Sequence, residues 1–135
     1  MVVDTSALIA ILEHEPDGPR FLQAVIAAPR RLLSAATVLE VSIVHAARTG
    51  TDEGFHDVDD FLRRAHATIR PVSRQQAALA RTAFWRFGKG RHRAGLNFGD
   101  CFVYALAKST GDAVLCKGDD FRHTDLTLDP ASQAR

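Results

Sequence analysis

Short apolar runs separated by longer helical stretches are the feature that most limits how this chain can fold. The runs occupy residues 2–4, 31–34, 68–72 and 113–116, with a further candidate at 126–128. Between them, apolar residues recur at helical spacing. Strands that run parallel need such crossover helices, which cover both faces of the sheet. The pattern therefore predicts an α/β fold, a three-layer α/β/α sandwich with a short-stranded, mainly parallel central sheet.

Individual residues predict where several helices begin and end. Thr5 or Ser6 can cap the first helix, and Ser73 with Gln76 three residues later fits a capping box. Gly50 is placed to end the helix that starts near residue 36. The other helices are expected at about 20–28, 53–67, 74–87 and 98–109, the last of them capped by Asn97.

Four carboxyl residues lie at or just beyond the ends of the predicted elements, or inside segments that are otherwise apolar enough to be core. They are Asp4, Glu40, Asp100 and Asp119. Burying an ionised carboxyl group costs free energy unless the group is paired or bound to a metal. Four such groups at one place would repel one another, and a divalent cation is the natural counter-charge. These residues are the candidate catalytic and metal-binding set, and they favour a nuclease-like site.

The predicted fold allows these carboxyl groups to meet at one edge of the sheet. Ligand sites of parallel sheets lie beyond the carboxyl ends of the strands, where Asp4 ends the first strand and Asp119 follows the fourth. Glu40 lies about one turn into the helix after the second strand. Asp100 begins the helix before the fourth strand, so the connection at 88–97 must carry that helix start back to the same edge. The spacing permits convergence without proving it.

Each acidic residue also has a purely structural interpretation. Asp4 and Asp100 can cap helices, and Glu40 can be an exposed position. Residues 117–120 can form an ordinary turn. The apolar neighbours one turn away from Glu40 favour its burial. The four residues in this order favour a shared acidic site over four unrelated structural roles.

Composition limits the function classes. The 135 residues predict a single domain over 1–135, with an ordinary hydrophobic fraction of 46% and charged fraction of 24%. The net charge of +1 gives no overall field that attracts nucleic acid, so such binding must depend on a local patch. Cys101 and Cys116 each lie in an apolar run, which predicts reduced core thiols and a cytoplasmic protein. No signal peptide or membrane helix is recognised, so no membrane association is expected.

One dense basic cluster precedes the helix of Asp100. It consists of Arg86, Lys89, Arg91, His92 and Arg93. Its last four members are RNA-binding candidates, because phosphate contacts position a nucleic acid without reading its sequence. The alternative is an ordinary solvated loop. Phe84, Trp85 and Phe87 offer base stacking, but their helical spacing favours core or dimer contacts.

Four segments, in a fixed order, carry a family resemblance. They are Val-Val-Asp-Thr-Ser-Ala-Leu-Ile-Ala at 2–10, Glu40 in its apolar helix, Leu-Asn-Phe-Gly-Asp-Cys-Phe-Val-Tyr-Ala-Leu-Ala at 96–107 and Leu-Cys-Lys-Gly-Asp-Asp-Phe at 115–121. Together they resemble a PIN-domain ribonuclease, and more narrowly a VapC toxin of a bacterial type II toxin–antitoxin pair. The resemblance covers essentially the whole chain. It implies one PIN-like domain that is a metal-dependent endoribonuclease, cleaving single-stranded regions of RNA.

The resemblance also assigns roles to the acidic residues. By motif, Asp4, Glu40 and Asp100 correspond to the first three acids of the family. The fourth is either Asp119 or Asp120; Asp119 is favoured, and Asp120 would then orient the loop. The implied cofactor is Mg²⁺ or Mn²⁺.

The chemistry of the cation suggests how these acids would share it. Mg²⁺ keeps several waters and takes only one or two direct carboxylates. The first and third acids are therefore expected to bind it directly, and the second and fourth through water or a second ion. Thr5 and Ser6 are expected to support the site by hydrogen-bonding a carboxylate or a phosphate oxygen.

The resemblance further implies partners. It implies a homodimer, a substrate such as tRNA or rRNA, and inhibition by a small VapB-type antitoxin. Apolar side chains are abundant on the first two helices and on the helix from Glu53, where they are Leu8, Ile11, Leu12, Phe21, Leu22, Val25, Phe55, Phe61 and Leu62. Part of this set is expected to form a groove for an amphipathic partner segment. The alternative is that all of it is core.

Other functions are weighed against this one. A catalytically silent PIN module that binds RNA or a protein partner is the main alternative. A response-regulator receiver would have an aspartate after the third strand, where Arg70, Pro71 and Val72 offer none. A haloacid-dehalogenase-type phosphatase would have Asp-x-Asp, whereas Ser6 occupies the second position.

Overall fold

The computed structural model describes residues 1–133. Its strands are β1 (Val2–Val3), β2 (Leu32–Ser34), β3 (Thr68–Arg70) and β4 (Val114–Leu115). Its helices are α1 (Thr5–Leu12), α2 (Gly18–Ala27), α3 (Ala35–Thr49), α4 (Glu53–Arg64), α5 (Arg74–Phe87), α6 (Phe98–Thr110) and α7 (Pro130–Gln133), with a 3-10 turn at Asp120–His123. The predicted alternation of strands and helices is confirmed, and the predicted elements agree with the observed ones to within a few residues.

The four strands form one parallel sheet in the order β3-β2-β1-β4. The strand β1 is central, because Val2 lies opposite Leu32 on one side and Val114 on the other. The predicted parallel sheet is confirmed. The candidate strand at 126–128 contributes a single isolated bridge, between Leu128 and Val114.

Alternate residues of the strands face opposite helical layers. Val3, Leu33 and Leu115 pack in one core with side chains of α1, α2, α3 and α4. Val2 and Val114 pack in a second core with side chains of α5 and α6. Because successive side chains of a strand point to opposite faces, a strand of two residues supplies both cores. The arrangement is the predicted three-layer sandwich.

Side chains at the helix starts fix where two of the helices begin. Asp4, and neither of the two predicted hydroxyl residues, caps α1, since its carboxylate accepts a hydrogen bond from the backbone N–H of Ser6 (3.0 Å). Ser73 caps α5 as predicted. The predicted capping box is not completed, however, because the amide of Gln76 donates to the hydroxyl of Ser109 on the packed helix α6 (2.8 Å).

A buried histidine connects three helices. His45 of α3 has Nδ1 3.3 Å from Oε2 of Glu13, at the end of α1, and Nε2 2.9 Å from Oδ2 of Asp57, on α4. Burial opposes protonation of His45, but its hydrogen bonds to Asp57 and Glu13 outweigh burial and raise its pKa above the ordinary value. Arg48 donates to the other carboxylate oxygen of Glu13 (2.7 Å). These charged contacts hold the end of α1 and the helix α4 against α3.

The strand β3 is the exposed edge of the sheet. All three of its residues, Thr68, Ile69 and Arg70, are exposed, and it pairs with β2 on one side. Pro71 follows the strand directly. The other outer strand, β4, is covered by its bridge to Leu128 and by contacts with α7.

Two expectations from composition concern the thiols and the membrane. Cys101 and Cys116 are buried and form no disulfide, as predicted. Burial raises the pKa of Cys101 to about 11 and that of Cys116 to about 12, which keeps both thiols protonated at neutral pH. Within residues 1–133, the helices are all too short or too polar to cross a bilayer.

Candidate active site

A cleft of about 380 Å³ opens where β1 and β4 end. Three of the predicted acids, Asp4, Glu40 and Asp100, line it together with both predicted supporting residues, Thr5 and Ser6. The structure therefore brings these five side chains to one place at the carboxyl edge of the sheet, where a parallel sheet is expected to bind its ligand.

Asp4 is the most buried of these acids. The backbone N–H of Asp4 donates to the carbonyl oxygen of Leu115 (2.9 Å), which fixes the end of β1 beside β4. Its Oδ2 accepts hydrogen bonds from both the backbone N–H and the hydroxyl of Ser6. Burial raises the pKa of Asp4, the hydrogen bonds from Ser6 oppose that rise, and the charge of Glu40 adds to it. The carboxyl group is held in a fixed orientation at a cost in solvation.

Glu40 reaches the cleft from α3 and is held there by two neighbours. Oε1 of Glu40 accepts a hydrogen bond from the hydroxyl of Thr5 (2.5 Å). Gly99 of α6 lies against the same carboxyl group, so that a Cβ atom at Gly99 would overlap Oε2 and lie 2.7 Å from Cδ of Glu40. The missing side chain at Gly99 therefore leaves the space that the carboxyl group of Glu40 occupies.

Asp100 reaches the cleft because the connection between α5 and α6 folds back to the carboxyl edge of the sheet, as the predicted convergence of the acids required. The segment after α5 folds back, with Leu96 paired to Gly88 and its backbone N–H donating to the carbonyl oxygen of Phe87 (2.9 Å). Asp100 and Asn97 then form a reciprocal capping box at the start of α6: each side chain accepts the backbone N–H of the other (3.0 and 2.9 Å). The predicted cap Asn97 is confirmed.

Burial and neighbouring charge change the protonation of Asp100. Burial raises the pKa of Asp100 to about 7, the backbone N–H of Asn97 opposes this, and the charges of Asp4, Asp120 and Glu40 add to it. Like charges therefore meet at this carboxyl group. A cation in the cleft would relieve that repulsion.

Asp120, and not the favoured Asp119, lines the cleft with Asp4, Glu40 and Asp100. Asp120 lines the cleft and acts electrostatically on Asp100. Asp119 lines a separate cavity near Leu126 and Ser132, with its Oδ1 3.5 Å from Arg122. The chain turns at Gly118, whose φ of +97° lies in the left-handed region, and the 3-10 turn that follows carries Asp120. This placement favours Asp120, the alternative left open by the sequence, over Asp119 as the fourth acid of the set.

The carboxyl groups fit a hard cation that keeps much of its water. Within residues 1–133, no group of three or more His, Cys, Asp or Glu side chains is close enough to hold one ion. The hydrogen bonds described above engage Oδ2 of Asp4, Oδ2 of Asp100 and Oε1 of Glu40. Each group thus has a second oxygen with which to bind a ligand. One or two direct carboxylates with water complete the usual shell of Mg²⁺, so the donors fit that cation but not a cage of three protein ligands.

The predicted RNA-binding loop does not line the cleft. Lys89, Arg91 and Arg93 are exposed on the surface. The guanidinium of Arg91 lies 3.6 Å from the ring centre of Trp85 and donates to its carbonyl oxygen (3.0 Å). His92 accepts the backbone N–H of Ala94 through Nδ1 (3.0 Å). These contacts pack the loop against α5, the helix that precedes it.

Sequence reasoning missed several residues at the cleft, including Glu15. The cationic side chains that line it are Arg48 and Lys117. Lys117 lies two residues beyond the end of β4, close to a position that the strand-end rule picks out, and Arg48 lies about two turns beyond Glu40 on α3. Gly99 precedes Asp100, and apart from this adjacency nothing in the sequence indicated that it would contact Glu40.

Comparisons with known proteins agree with the fold. Residues 1–126 match the family described as PIN domain. The chain is 52% identical over 126 residues to the ribonuclease VapC30 of Mycobacterium tuberculosis. The aligned region covers 93% of this chain and 95% of that protein. Among solved structures, the sarcin–ricin loop cleaving toxin VapC20 of Mycobacterium tuberculosis matches with a TM-score of 0.78 at 14% identity, over 95% of this chain and 97% of that one. VapBC2 of Rickettsia felis, bound to a promoter DNA fragment, matches with a TM-score of 0.69 at 16% identity, over 95% and 96% of the two chains.

The first prediction concerns the stability of the metal-free protein. Folded Asp100 keeps its proton up to about pH 7, whereas the unfolded chain releases it near pH 3.8. The folded state thus binds more protons between these values, and the free energy of unfolding should fall as pH rises through them. Asp100→Asn should lessen this fall, leaving the part that Asp4 contributes, and stabilise the protein at pH 8 by up to a few kcal/mol.

Urea unfolding with EDTA at pH 5 and pH 8 measures the effect. Asparagine keeps an oxygen that accepts the Asn97 N–H, so the helix cap survives the substitution. Asp59→Asn, at an exposed position of α4, is the control and should leave the pH dependence unchanged. An Asp100→Asn variant no more stable than the parent at pH 8 would contradict the burial argument.

Proposed function

The chain belongs to the PIN-domain family, among the VapC ribonucleases, and from this premise we propose that it is a divalent-cation-dependent endoribonuclease toxin. The observation that carries the proposal is the cleft in which Asp4, Glu40, Asp100 and Asp120 meet. Single-stranded regions of tRNA or rRNA are the proposed substrate. The match over residues 1–126 supports one PIN domain across 1–135, and the reduced, buried thiols support a cytoplasmic site of action.

Different residues of the cleft would bind the cation and accept the proton during phosphodiester hydrolysis. Asp4 and Asp100 would hold a Mg²⁺ or Mn²⁺ ion directly, with Glu40 and Asp120 bound to it through water. When bound, the cation supplies positive charge to the scissile phosphate and makes water more acidic. Glu40 or Asp120 would accept the proton of the attacking water as a general base.

The hydroxyl side chains orient this machinery. The hydroxyl of Thr5 donates to Oε1 of Glu40 and so directs Oε2 towards the space beside Gly99. The hydroxyl of Ser6 donates to Asp4 and accepts the backbone N–H of Lys117 (2.9 Å). Such fixed hydrogen bonds keep the carboxyl groups in position before the substrate arrives. A catalytically silent PIN module is not favoured, because the acids and their orienting partners are all present.

A second cavity supports the proposed antitoxin partner. A groove of about 1120 Å³ runs between α1, α2 and α4. Of the apolar side chains expected there, Ile11, Leu12, Leu22, Val25 and Phe61 line it, whereas Leu8 and Phe21 are core. Ile26, which also lines the groove, is 66% exposed. A groove of this character suits the apolar face of a partner segment.

A different face supports the proposed homodimer. Leu39 and Ile43, one turn apart on α3, are 62% and 55% exposed, and Phe98 at the start of α6 is 81% exposed. Large apolar side chains at this degree of exposure mark an interaction surface. A second copy of the chain is the proposed occupant of this face.

Loss of the cleft carboxyl groups should abolish cleavage. With Mg²⁺ or Mn²⁺ the purified protein should cut RNA, and EDTA should stop it. Asp4→Asn, Glu40→Gln, Asp100→Asn and Asp120→Asn should each lower the rate by roughly 100-fold or more. Asp119→Asn is the matched control and should stay within about threefold, because Asp119 lines another cavity. Cleavage undiminished in EDTA, or a larger loss at Asp119 than at Asp120, would contradict the mechanism.

Gly99→Ala tests the placement of Glu40 without removing a charge. The helical backbone accepts alanine, but its Cβ would displace the carboxyl group of Glu40. The expected result is a fall in kcat of about tenfold or more with KM and thermal stability little changed. The double variant Gly99→Ala, Glu40→Gln should be no slower than Glu40→Gln alone, since both act on one group. Independent, additive losses would show that Gly99 acts elsewhere.

The groove should be required for inhibition but not for cleavage. Ile26→Asp places a charge among apolar contacts and should prevent co-purification with an antitoxin encoded beside this chain, because a charge buried unpaired at the interface is costly. The isolated variant should still cut RNA. Trp85→Asp, at a residue of similar exposure (69%) outside both the groove and the proposed dimer face, should still bind the antitoxin. Equal binding by parent and Ile26→Asp would place the partner elsewhere.

A further inference from the structure

The charge of the cleft is unfavourable for a polyanion. Within residues 1–133, five carboxyl side chains line it, those of Asp4, Glu15, Glu40, Asp100 and Asp120. One divalent cation offsets part of that charge, and the RNA backbone brings one negative charge with every nucleotide. Binding the strand therefore calls for cationic side chains at the cleft itself. The predicted basic loop lies outside the lining, and the cations inside it are Arg48 and Lys117.

Lys117 is tied to the catalytic carboxyl groups through its backbone. Its N–H donates to the hydroxyl of Ser6 (2.9 Å), and that hydroxyl donates to Asp4. Its ammonium lies 3.2 Å from Oε2 of Glu15 and 3.3 Å from Oδ2 of Asp17. The main chain is thus fixed beside Asp4, whereas the charged end of the side chain, 41% exposed, rests on the segment between α1 and α2.

Arg48 lines the same cleft from the helix α3. Its guanidinium is paired with Oε1 of Glu13 (2.7 Å), in the same segment, and its side chain is 54% exposed. A guanidinium presents paired N–H donors that match two oxygens of a phosphate. Glu13 has a second hydrogen-bond partner in Nδ1 of His45 (3.3 Å), so Glu13 keeps an interaction when Arg48 leaves it.

Both cations therefore rest on carboxylates of residues 13–17. Exposed ion pairs of this kind contribute little to stability and are weakened by salt. A phosphate group can take the place of the carboxylate without disturbing the fold. We propose, building on the proposed ribonuclease function, that Arg48 and Lys117 exchange Glu13 and Glu15 for backbone phosphates of the RNA and seat the strand across the cleft.

Within each ion pair, replacing the cation and replacing the carboxylate should have opposite effects on RNA affinity. If the cations bind phosphate, Arg48→Gln and Lys117→Gln should each weaken RNA binding about tenfold and lower the salt slope by about 0.7. Glu13→Gln and Glu15→Gln should instead strengthen binding or leave it unchanged, because each removes a carboxylate that competes with phosphate for a cation and that repels the RNA, although Asp17 still pairs with Lys117 in the second variant. If the pairs are only structural, both members should act in the same direction.

The experiment is a titration of a labelled, mixed-sequence single-stranded RNA, followed by anisotropy at several salt concentrations in the Asp100→Asn background. Arg122→Gln is the matched control, since Arg122 is 50% exposed and pairs with Asp119 outside the cleft. Thermal melting shows that each variant is folded. Unchanged affinity on loss of either cation, or weaker binding by both acid variants, overturns the proposal.

The outcome is separable from that of the ribonuclease proposal. Cleavage by the parent protein with Mg²⁺ or Mn²⁺ tests the enzyme, and the binding series tests the two cations. A parent that cuts RNA while the cation variants bind as well as it does refutes the phosphate role alone. A parent that neither binds nor cuts RNA refutes both.

Discussion

Several carboxyl groups held close together, largely out of water, are the constraint on which the rest of this structure depends. Asp4 and Asp100 are both buried, and their pKa values are raised by burial and by neighbouring charge. An arrangement that resists ionisation persists only if other contacts maintain it. The central position of β1 holds Asp4 in the cleft, and the folded-back segment at 88–96 holds Asp100 there. The two cores on either side of the sheet supply the favourable free energy of folding.

Structural and functional interpretations of the acidic residues turned out to be compatible. Asp4 caps α1 and also lines the cleft, and Asp100 forms a capping box and also lines the cleft. A cap uses one oxygen of the carboxyl group, which leaves the other oxygen to face a ligand. The start of a helix also fixes a side chain more firmly than a loop does. The same hydrogen bonds therefore stabilise the helices and aim the site.

The sequence was sufficient for features that depend on periodicity and strand ends. Short apolar runs alternating with helical stripes led to the parallel sheet, and acids at strand and helix ends led to Asp4, Glu40 and Asp100. The choice between Asp119 and Asp120 depended on the path of the chain from Gly118 into the 3-10 turn, which composition does not encode. The basic loop was prominent in sequence, yet Arg91 stacks on Trp85. The cleft cations Arg48 and Lys117 are isolated in sequence and come together only through the fold.

The edge strand β3 has a consequence for how the protein behaves at high concentration. An open edge offers unpaired backbone groups to any other chain and is the usual starting point of aggregation. Here the edge is three residues long, carries Arg70, and runs directly into Pro71, which has no N–H to donate. A second chain that approached this edge would meet a charge and then an interruption after very few hydrogen bonds. The sheet is therefore closed to open-ended growth even though its edge strand is exposed to solvent.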